Sequence, residues 1–590
     1  MRSHHAASIG QDRIGERVTV AGWIQRRRDH GGIAFLDIRD GSGLIQVVAD
    51  PATHPEVSDL RMEFCVSVTG TVRHRPEGTE NPDMPTGSVE IGAEQITVLS
   101  TADALPFMID DRTDTDERAR LRYRYLDLRR PRMAANLRAR SRATAVIRRT
   151  LEEQGFLEVE TPTLVNSTPE GARDMLVPSR LRPGEFYALP QSPQLFKQLL
   201  MISGVERYFQ IARCYRDEDF RADRQLEFTQ LDLEGSFWGR DDVLGAIESV
   251  LVAVVAALRG VDIPHPFSLL TWTEAMDRYG SDKPDTRFGM EIGDVSEHLA
   301  LTEFGVFKSA LDSGGTVRGI NIGAQDWPRS RADALTERAR ELGAKGLVWM
   351  VVEDDGSLRS PVSKFLSSDE MTALKETLNG EPGDVLLLAA DKWKTCVTVL
   401  GGLRTELGRP VGHDELAFLW VIDFPLFEEG EDGSLTFSHH PFTSPASLEE
   451  MRNNPLGAIS NAYDVVVNGI ELGSGSVRIH DPVVQRQVFE ILGIDSETAE
   501  RRFGWFLEAL RYGTPPHAGF AFGIDRLVMV LQGEVSIREV IPFPKTQTGV
   551  DPMTGAPTWV DDTQLGELGV VLTPEARARQ SEPGAPTEPG

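Results

Sequence analysis

The first hundred residues hold five short runs in which apolar and polar residues alternate: VTVAGWIQRRR, IAFLDIRD, LIQVVAD, FCVSVTGTVR and VEIGAEQITVLS. A period of two puts every second side chain on one face, so each run reads as a strand buried on one side. A helix-compatible stretch, PEVSDLRMEF, separates the third run from the fourth. Five strands with a helix at that place is the order of an OB barrel, whose closure removes exposed edges. Such barrels take single-stranded nucleic acid by stacking bases on aromatics above a basic groove. Phe35 is then the candidate stacker, Gln46 the candidate base reader, and Arg26 and Arg28 the candidate phosphate contacts. A barrel of this size uses a small part of 590 residues, so the rest must form further domains.

A formal net charge of -28 disfavours a nucleic-acid partner only if the charge is evenly spread. It is not: between Arg118 and Arg149 stand about a dozen arginines and almost no acids. That block suits either a groove for a polyanion or a helix surface laced with salt bridges. The three cysteines, Cys65, Cys214 and Cys396, are far apart and form no CxxC or Cys/His pairing. Zinc sites and disulfides are therefore not expected, which fits a reducing cytosol. No apolar signal core opens the chain, and no run approaches a membrane span. The apolar stretch from Val250 to Leu258 reads as a buried helix, and the expected location is cytoplasmic.

The expected division is residues 1–105 for the barrel, 106–132 for a charged hinge, and 133–284 and 406–550 for the two parts of a larger domain. Residues 285–405 read as an inserted α/β module, in which GLVWMVVED and DVLLLAAD are buried strands. Residues 551–590 form an extension whose Pro/Glu/Gly-rich end is expected to be disordered.

Four constellations carry chemistry. YFQIARCYRDED and FTQLDLEGSF are strand-like and joined by a polar loop, making an antiparallel hairpin. Arg216 and Glu218 sit two apart and face the same way, while Phe228 opens the return strand. An arginine for a phosphate, a carboxylate for an adenine amino group and an aromatic for its ring would clamp ATP. In NAYDVVVNGIELG the Asn468-Gly469 pair predicts a two-residue turn, pairing Val467 with Ile470 and Val466 with Glu471. Asp464 then shares a face with Glu471, and two such carboxylates suit a magnesium ion carrying phosphates. In QSPQLFKQLLM, Ser192 reads as a helix cap and Pro193 as the first helical residue, with Gln194 and Lys197 on one face. Taken alone, Lys197 reads as an exposed lysine. In GFAFGIDRLVMV a helix beginning near Arg526, behind Gly523 and Asp525, suits a terminal phosphate. No P-loop or Rossmann fingerprint is present.

Together these blocks resemble the class II aminoacyl-tRNA synthetases and, within them, the bacterial aspartyl-tRNA synthetases. GFLEVETPTL is similar to motif 1, RCYRDEDFRADRQLEFTQLD to motif 2 and GFAFGIDRLVMV to motif 3. STPEGARD, QSPQLFKQ, HHPFT and SVRIH follow the same pattern in order. The resemblance implies an α+β multidomain protein: a barrel, an antiparallel-sheet catalytic domain flanked by helices, and an inserted module of the GAD type. It implies a homodimer that activates L-aspartate with ATP and Mg²⁺ and transfers it to a tRNA.

By resemblance, Arg216 and Arg526 are the catalytic arginines, on the α-phosphate with the new carboxylate and on the γ-phosphate. ATP is further held by Asp217, Glu218, Gln225, Phe228, Glu471, Gly523, Ile524 and Asp525, and the metal by Asp464 and Glu471. Aspartate is met by Glu170, Gln194, Lys197, Arg216, Gln230, Asp232, His439 and Arg478. Lys197 and Arg478 take the side-chain carboxylate, Asp232 the ammonium group, and Glu170 and His439 belong to closing loops. RRRDHGG with His30, and RPEGTENP with Gly78, resemble the relaxed type that charges both tRNA(Asp) and tRNA(Asn). The alternative is strict tRNA(Asp) specificity. Leu226 and Ser474 depart from the usual proline and glycine of the pattern. An asparagine synthetase of the same fold would not need the barrel, and a decayed tRNA-binding regulator would not keep Arg216, Glu471, Arg478 and Arg526 intact.

Overall fold

The computed structural model describes residues 1–167, 172–218, 221–408, 414–430 and 432–580. The chain forms two compact units, Met1–Arg138 with Pro542–Pro557, and Ala139–Ile541 with the residues from Thr558 onward.

In the first unit, strands β1 (Arg17–His30), β2 (Ile33–Arg39), β3 (Leu44–Ala49), β4 (Cys65–His74) and β5 (Val89–Ser100) close into a barrel. Its order is β1-β2-β3-β5-β4. Alternate residues, among them Val18, Val20, Leu36, Ile38, Val47, Val68 and Ile91, fill one core, as the period-two pattern requires. The helix expected between the third and fourth strands is only a short 3₁₀ turn, Pro55–Asp59. Part of the arginine block is tied up in ion pairs. Arg120 and Arg124 reach Asp127 at 2.8 and 2.6 Å, and Arg129 reaches Glu63 at 2.8 Å.

The second unit is built on an eight-stranded sheet. Its strands are β6 (Leu157–Glu158), β7 (Arg207–Tyr215), β8 (Glu227–Ser236), β9 (Ser268–Thr271), β10 (Phe418–Ile422), β11 (Ala462–Val467), β12 (Ile470–Val477) and β13 (His517–Gly523). The order is β9-β10-β11-β12-β13-β8-β7-β6. The interior pairs are antiparallel, whereas β9–β10 and β6–β7 at the edges are parallel, so the sheet is mixed rather than wholly antiparallel. One face packs on helices α1 (Pro131–Glu153), α2 (Arg240–Arg259) and α3 (Ile524–Gln532), whose apolar stripes share a core with Phe209, Leu231 and Phe522. The stretch from Val250 to Leu258 lies in α2 with Val250, Leu251, Val254 and Val255 buried. Among the described residues no helix is long and apolar enough to cross a membrane.

The inserted module is a separate five-stranded antiparallel sheet. It contains Val348–Val352 and Asp384–Asp391, the two strands expected from GLVWMVVED and DVLLLAAD. It ends on helix Trp393–Leu407. The extension carries two short helices, Asp562–Glu567 and Pro574–Gln580; its final ten residues, expected to be disordered, lie outside the described ones.

Candidate active site

A cleft of about 700 Å³ opens over the central strands of the second unit. Phe228, Gln230 and Asp232 alternate along β8 and so face it together, joined by Glu218 and Gln225 from the hairpin loop. Arg216 lies one residue beyond the end of β7, where its backbone N–H donates to Leu226 at 2.8 Å and continues the ladder. Its guanidinium stands 5.0 Å from the ring centre of Phe228.

The Asn468-Gly469 turn forms with both residues at positive φ (52° and 81°), which only a type I′ hairpin requires. Val467 pairs with Ile470 and Val466 with Glu471, then a bulge at Leu472 shifts the register, so that Asp464 faces Ser474. Asp464 Oδ1 accepts from His439 Nε2 at 3.1 Å. Burial and the neighbouring Asp464 charge both raise the pKa of Glu471. Two hard carboxylates that repel one another fit a magnesium ion, which commonly uses one or two such ligands beside substrate phosphates. Among the described residues no cluster of three or more His, Cys, Asp or Glu forms a protein-only metal cage.

The helix Gln194–Ile202 starts one residue later than expected: Pro193 occupies the cap position, and Ser192 Oγ accepts from the Gln194 N–H at 3.3 Å. Its Lys197 is not the exposed lysine expected of it in isolation but is 1% exposed. The ammonium lies 3.1 Å from Asp232 and 3.1 Å from Glu234. Arg478 donates Nε to Glu234 at 2.9 Å, and its Nη1 to Ser476 at 2.7 Å and to His440 Nε2 at 2.5 Å. Burial, reinforced by the Arg478 charge, holds the pKa of His440 well below 6.5, so the ring accepts as a neutral imidazole. Burial pushes Asp232 up to about 6, with Glu234 adding to the rise and Lys197 and Arg478 opposing it.

Glu234 was missed in the sequence, although its spacing of two from Asp232 puts both on one face of β8. Its carboxylate lies against β13, where a Cβ on Gly519 would come within 1.8 Å of Oε2. Glycine is therefore required opposite it.

His439, expected on a closing loop, stands in the cleft edge-on to Phe424 at 4.6 Å. Burial works against its charge, but Asp464, with Glu471 and Asp282 nearby, outweighs burial and raises its pKa. Among the described residues Asp232 Oδ1, Gln194 Nε2, Arg216 Nε and His439 Nδ1 are buried in this cleft without a hydrogen-bond partner. Polar atoms so placed are costly unless something binds them.

Helix α3 begins at Ile524, with Gly523 as its cap. Asp525 is thus inside the helix rather than before it. Its Oδ2 accepts from the Thr229 N–H at 2.7 Å, and Oδ1 is taken by Arg140. The Ile524 side chain belongs to the core, so only its backbone is available to a ligand. Arg526 donates to the Glu471 carbonyl at 2.5 Å and to Asp223 at 3.1 Å. Glu218 is paired with Arg224 at 3.1 Å and Asp217 with Arg173 at 3.4 Å. Glu170 lies outside the described residues.

In the barrel, Phe35 and Arg26 stand on the outer face. Gln46 is 5% exposed, contrary to an open base-reading position; it accepts from Arg28 at 3.2 Å and donates to Glu90 at 2.9 Å. Arg28 also pairs with Asp37 at 2.9 Å. His30 ends β1 and is exposed, as is Gly78.

Residues 116–547 match the family model of the tRNA synthetases class II (D, K and N), and residues 18–99 match that of the OB-fold nucleic acid binding domain. The chain belongs to the class II tRNA synthetases of the D, K and N group. It is 52% identical, over 96% of both chains, to the aspartate–tRNA(Asp/Asn) ligase of Moorella thermoacetica. Against the protein of the same name in Thermobifida fusca it is 49% identical, over 98% of this chain and 99% of that one. In fold it is similar to the asparaginyl-tRNA synthetase of Pyrococcus horikoshii complexed with asparaginyl-adenylate, with a TM-score of 0.58 and 19% identity over 92% and 98% of the two chains. A putative aspartyl-tRNA synthetase of Leishmania major gives a TM-score of 0.56, at 20% identity over 92% and 94%. The cleft's lining residues all fall within the stretch that matches the synthetase model.

Proposed function

We propose that this class II synthetase is an aspartate–tRNA ligase, acting in the cytoplasm as a homodimer and charging both tRNA(Asp) and tRNA(Asn). The observation that carries the amino-acid assignment is the pair of buried cations, Lys197 and Arg478, converging at one end of the cleft. A side-chain carboxylate is the ligand such a pair selects over a carboxamide. The relatives at about 50% identity carry the ligase name with both tRNAs in it.

In the first step an oxygen of the aspartate α-carboxylate attacks the α-phosphorus of ATP in line, and pyrophosphate leaves. The chain's part is positioning and neutralising charge. Arg216 holds the α-phosphate and the incoming carboxylate, and Phe228 carries the adenine, whose amino group meets Glu218, with Gln225 and Asp217 beside the nucleotide. The backbone of Gly523 and Ile524 and the guanidinium of Arg526 hold the terminal phosphate, while Asp525 fixes the helix that presents them. Asp232 receives the α-ammonium group, with Gln194, Gln230, His439 and Glu170 completing the aspartate pocket. Asp464 and Glu471 would hold Mg²⁺, which when bound supplies positive charge to the phosphates. In the second step the terminal adenosine hydroxyl of the tRNA attacks the aspartyl carbonyl, the bond from that carbonyl to the phosphate oxygen breaks, and AMP leaves with the hydroxyl proton passing to its phosphate. The barrel reads the anticodon, with Phe35 stacking, Arg26 and Arg28 on phosphates, Gln46 ordering its neighbours, and His30 and Gly78 leaving the last anticodon base undiscriminated.

Aspartate-dependent exchange between ATP and pyrophosphate, followed by charging of purified tRNA(Asp) and tRNA(Asn), tests this. Exchange driven by asparagine or lysine instead would sink the amino-acid assignment. Failure to charge tRNA(Asn) would restrict the enzyme to tRNA(Asp).

A further inference from the structure

Lys283 belongs to none of the groups assigned above. It stands in Ser281-Asp282-Lys283-Pro284-Asp285, between helix Trp272–Tyr279 and the inserted module. Its ammonium is 3.8 Å from Glu471 Oε2 and 3.7 Å from Asp282, and its side chain is 47% exposed. The backbone around it is pinned from two sides. At the β11–β12 turn, a Cβ on Gly469 would meet Asp285 at 3.2 Å, so the two run in close contact. From the module's last helix, Arg404 donates Nη2 to the carbonyls of Asp285, Phe288 and Gly289 at 2.8, 2.8 and 2.9 Å. The same guanidinium lies 4.2 Å from the ring centre of Phe288 and 4.8 Å from that of Tyr279. Both ends of the module are therefore fastened where the chain passes the Asn468-Gly469 hairpin, which holds the backbone beside Lys283 while its long side chain stays half-exposed.

Glu471 is bracketed by two cations. Arg526 holds its carbonyl oxygen and Lys283 stands at its carboxylate. Lys283 does not line the cleft itself, but its partner Glu471 does. An ion pair of half-exposed groups at this distance contributes little by itself, so leaving Glu471 for a phosphate would cost little. A lysine is a compact point charge on a flexible stem, which suits a phosphate whose position shifts during reaction.

We propose that Lys283 binds the β- and γ-phosphates of ATP and holds pyrophosphate as it leaves, so that the inserted module's leading segment completes the phosphate end of the site. This rests on the activation reaction proposed above. There the new bond joins the aspartate oxygen to the α-phosphorus, and the bond to the α,β-bridging oxygen breaks. Its electron pair stays on pyrophosphate, and no proton moves. Lys283 supplies charge where that electron pair arrives.

The test uses the full-length protein with Lys283→Ala and Lys283→Arg. Titration calorimetry without aspartate measures binding of magnesium–ATP and of magnesium–pyrophosphate, and exchange kinetics give the KM for each substrate. Loss of one charged contact predicts dissociation constants about tenfold weaker for both ligands in Lys283→Ala. Lys283→Arg should recover most of that loss, and the aspartate KM should stay unmoved. Parental binding of both ligands by Lys283→Ala overturns the proposal, and so does an equal loss of aspartate affinity. Lys283→Met, which keeps the packing of the stem, replaces Lys283→Ala if the latter lowers the thermal midpoint. The parental protein's aspartate-dependent exchange is read separately, so a failed function and a failed role for Lys283 give different results.

Discussion

Glu234 meets Arg478 as a fork, with Oε1 accepting from Nε at 2.9 Å and Oε2 from Nη2 at 3.3 Å, both side chains being buried. The same carboxylate lies 3.1 Å from Lys197. Glu234 thus touches both buried cations, sharing Lys197 with Asp232, and orients the arginine. Removing one partner of such a group leaves an uncompensated charge, which costs about 3–5 kcal/mol. Glu234→Gln is expected to lower the unfolding free energy by roughly that amount. It should also raise the aspartate KM about tenfold or more, through loss of the charged hydrogen bonds that orient Arg478, without moving the KM for ATP. Denaturant unfolding and exchange kinetics check both. A stability loss with an unchanged aspartate KM would make Glu234 a merely structural residue.

Asp232 gives the protein a pH dependence opposite in sign to the usual carboxylate. Its folded pKa is about 6 against an ordinary 3.8, so the folded chain keeps this proton longer than the unfolded one. Between about pH 4 and 6 the folded state binds the extra proton, and stability falls as pH rises through that window. The full difference is on the order of 3 kcal/mol. Asp232→Asn cannot titrate, so the wild-type stability relative to this variant should decline between pH 4.5 and pH 7 in urea unfolding. If the ionised form receives the α-ammonium group, the aspartate KM should also climb as pH drops below about 6. A flat difference curve would remove the burial of a charged Asp232 from the account.

Asp525 lines the cleft and also anchors its helix. Its two oxygens are taken by the Thr229 N–H and by Arg140, which sews α3 to β8 and α1. An acid in the first turn also suits the positive end of the helix. Asp525→Asn should cost about 2 kcal/mol of stability, from a weakened charged hydrogen bond and a stranded arginine. At a temperature where the variant is folded, its KM for ATP should remain within a factor of about three, since less than 1 kcal/mol of binding is lost. A much larger effect on ATP with no change in stability would return Asp525 to the nucleotide site.

Local rules carried the reading furthest where a short turn or a strict period decides the geometry. Asn468-Gly469 predicts its own turn type, and the pairs Val467–Ile470 and Val466–Glu471 follow from it. The bulge one residue later does not follow from the turn; beyond it a Cβ on Gly473 would lie 2.4 Å from Phe522 on the neighbouring β13, so that position must be glycine. The barrel was legible through alternation, which survives translation into a core. Lys197 was not, since its partners Asp232 and Glu234 come from a strand 35 or more residues away. Nothing in an isolated lysine signals that two acids will be buried with it. The burial of Gln46 was equally invisible, because its partners Arg28 and Glu90 come from other strands.

Phe35 tests whether the barrel contributes recognition separable from catalysis. It pairs with Arg28 across the β1–β2 hairpin and lies outside the barrel core, so its ring is not needed to fill that core. Stacking of a base on an aromatic is worth about 1–3 kcal/mol, so Phe35→Ala should weaken tRNA in charging assays roughly ten- to a hundredfold. In the proposed mechanism no tRNA takes part in amino-acid activation, so aspartate-dependent exchange should match the parental rate. Gln46→Ala provides the contrast. It unties Arg28 from Glu90 and should lower the thermal midpoint as well as tRNA affinity. Phe35→Ala with a parental tRNA KM, measured at the same salt concentration, would mean that bases stack elsewhere on the barrel.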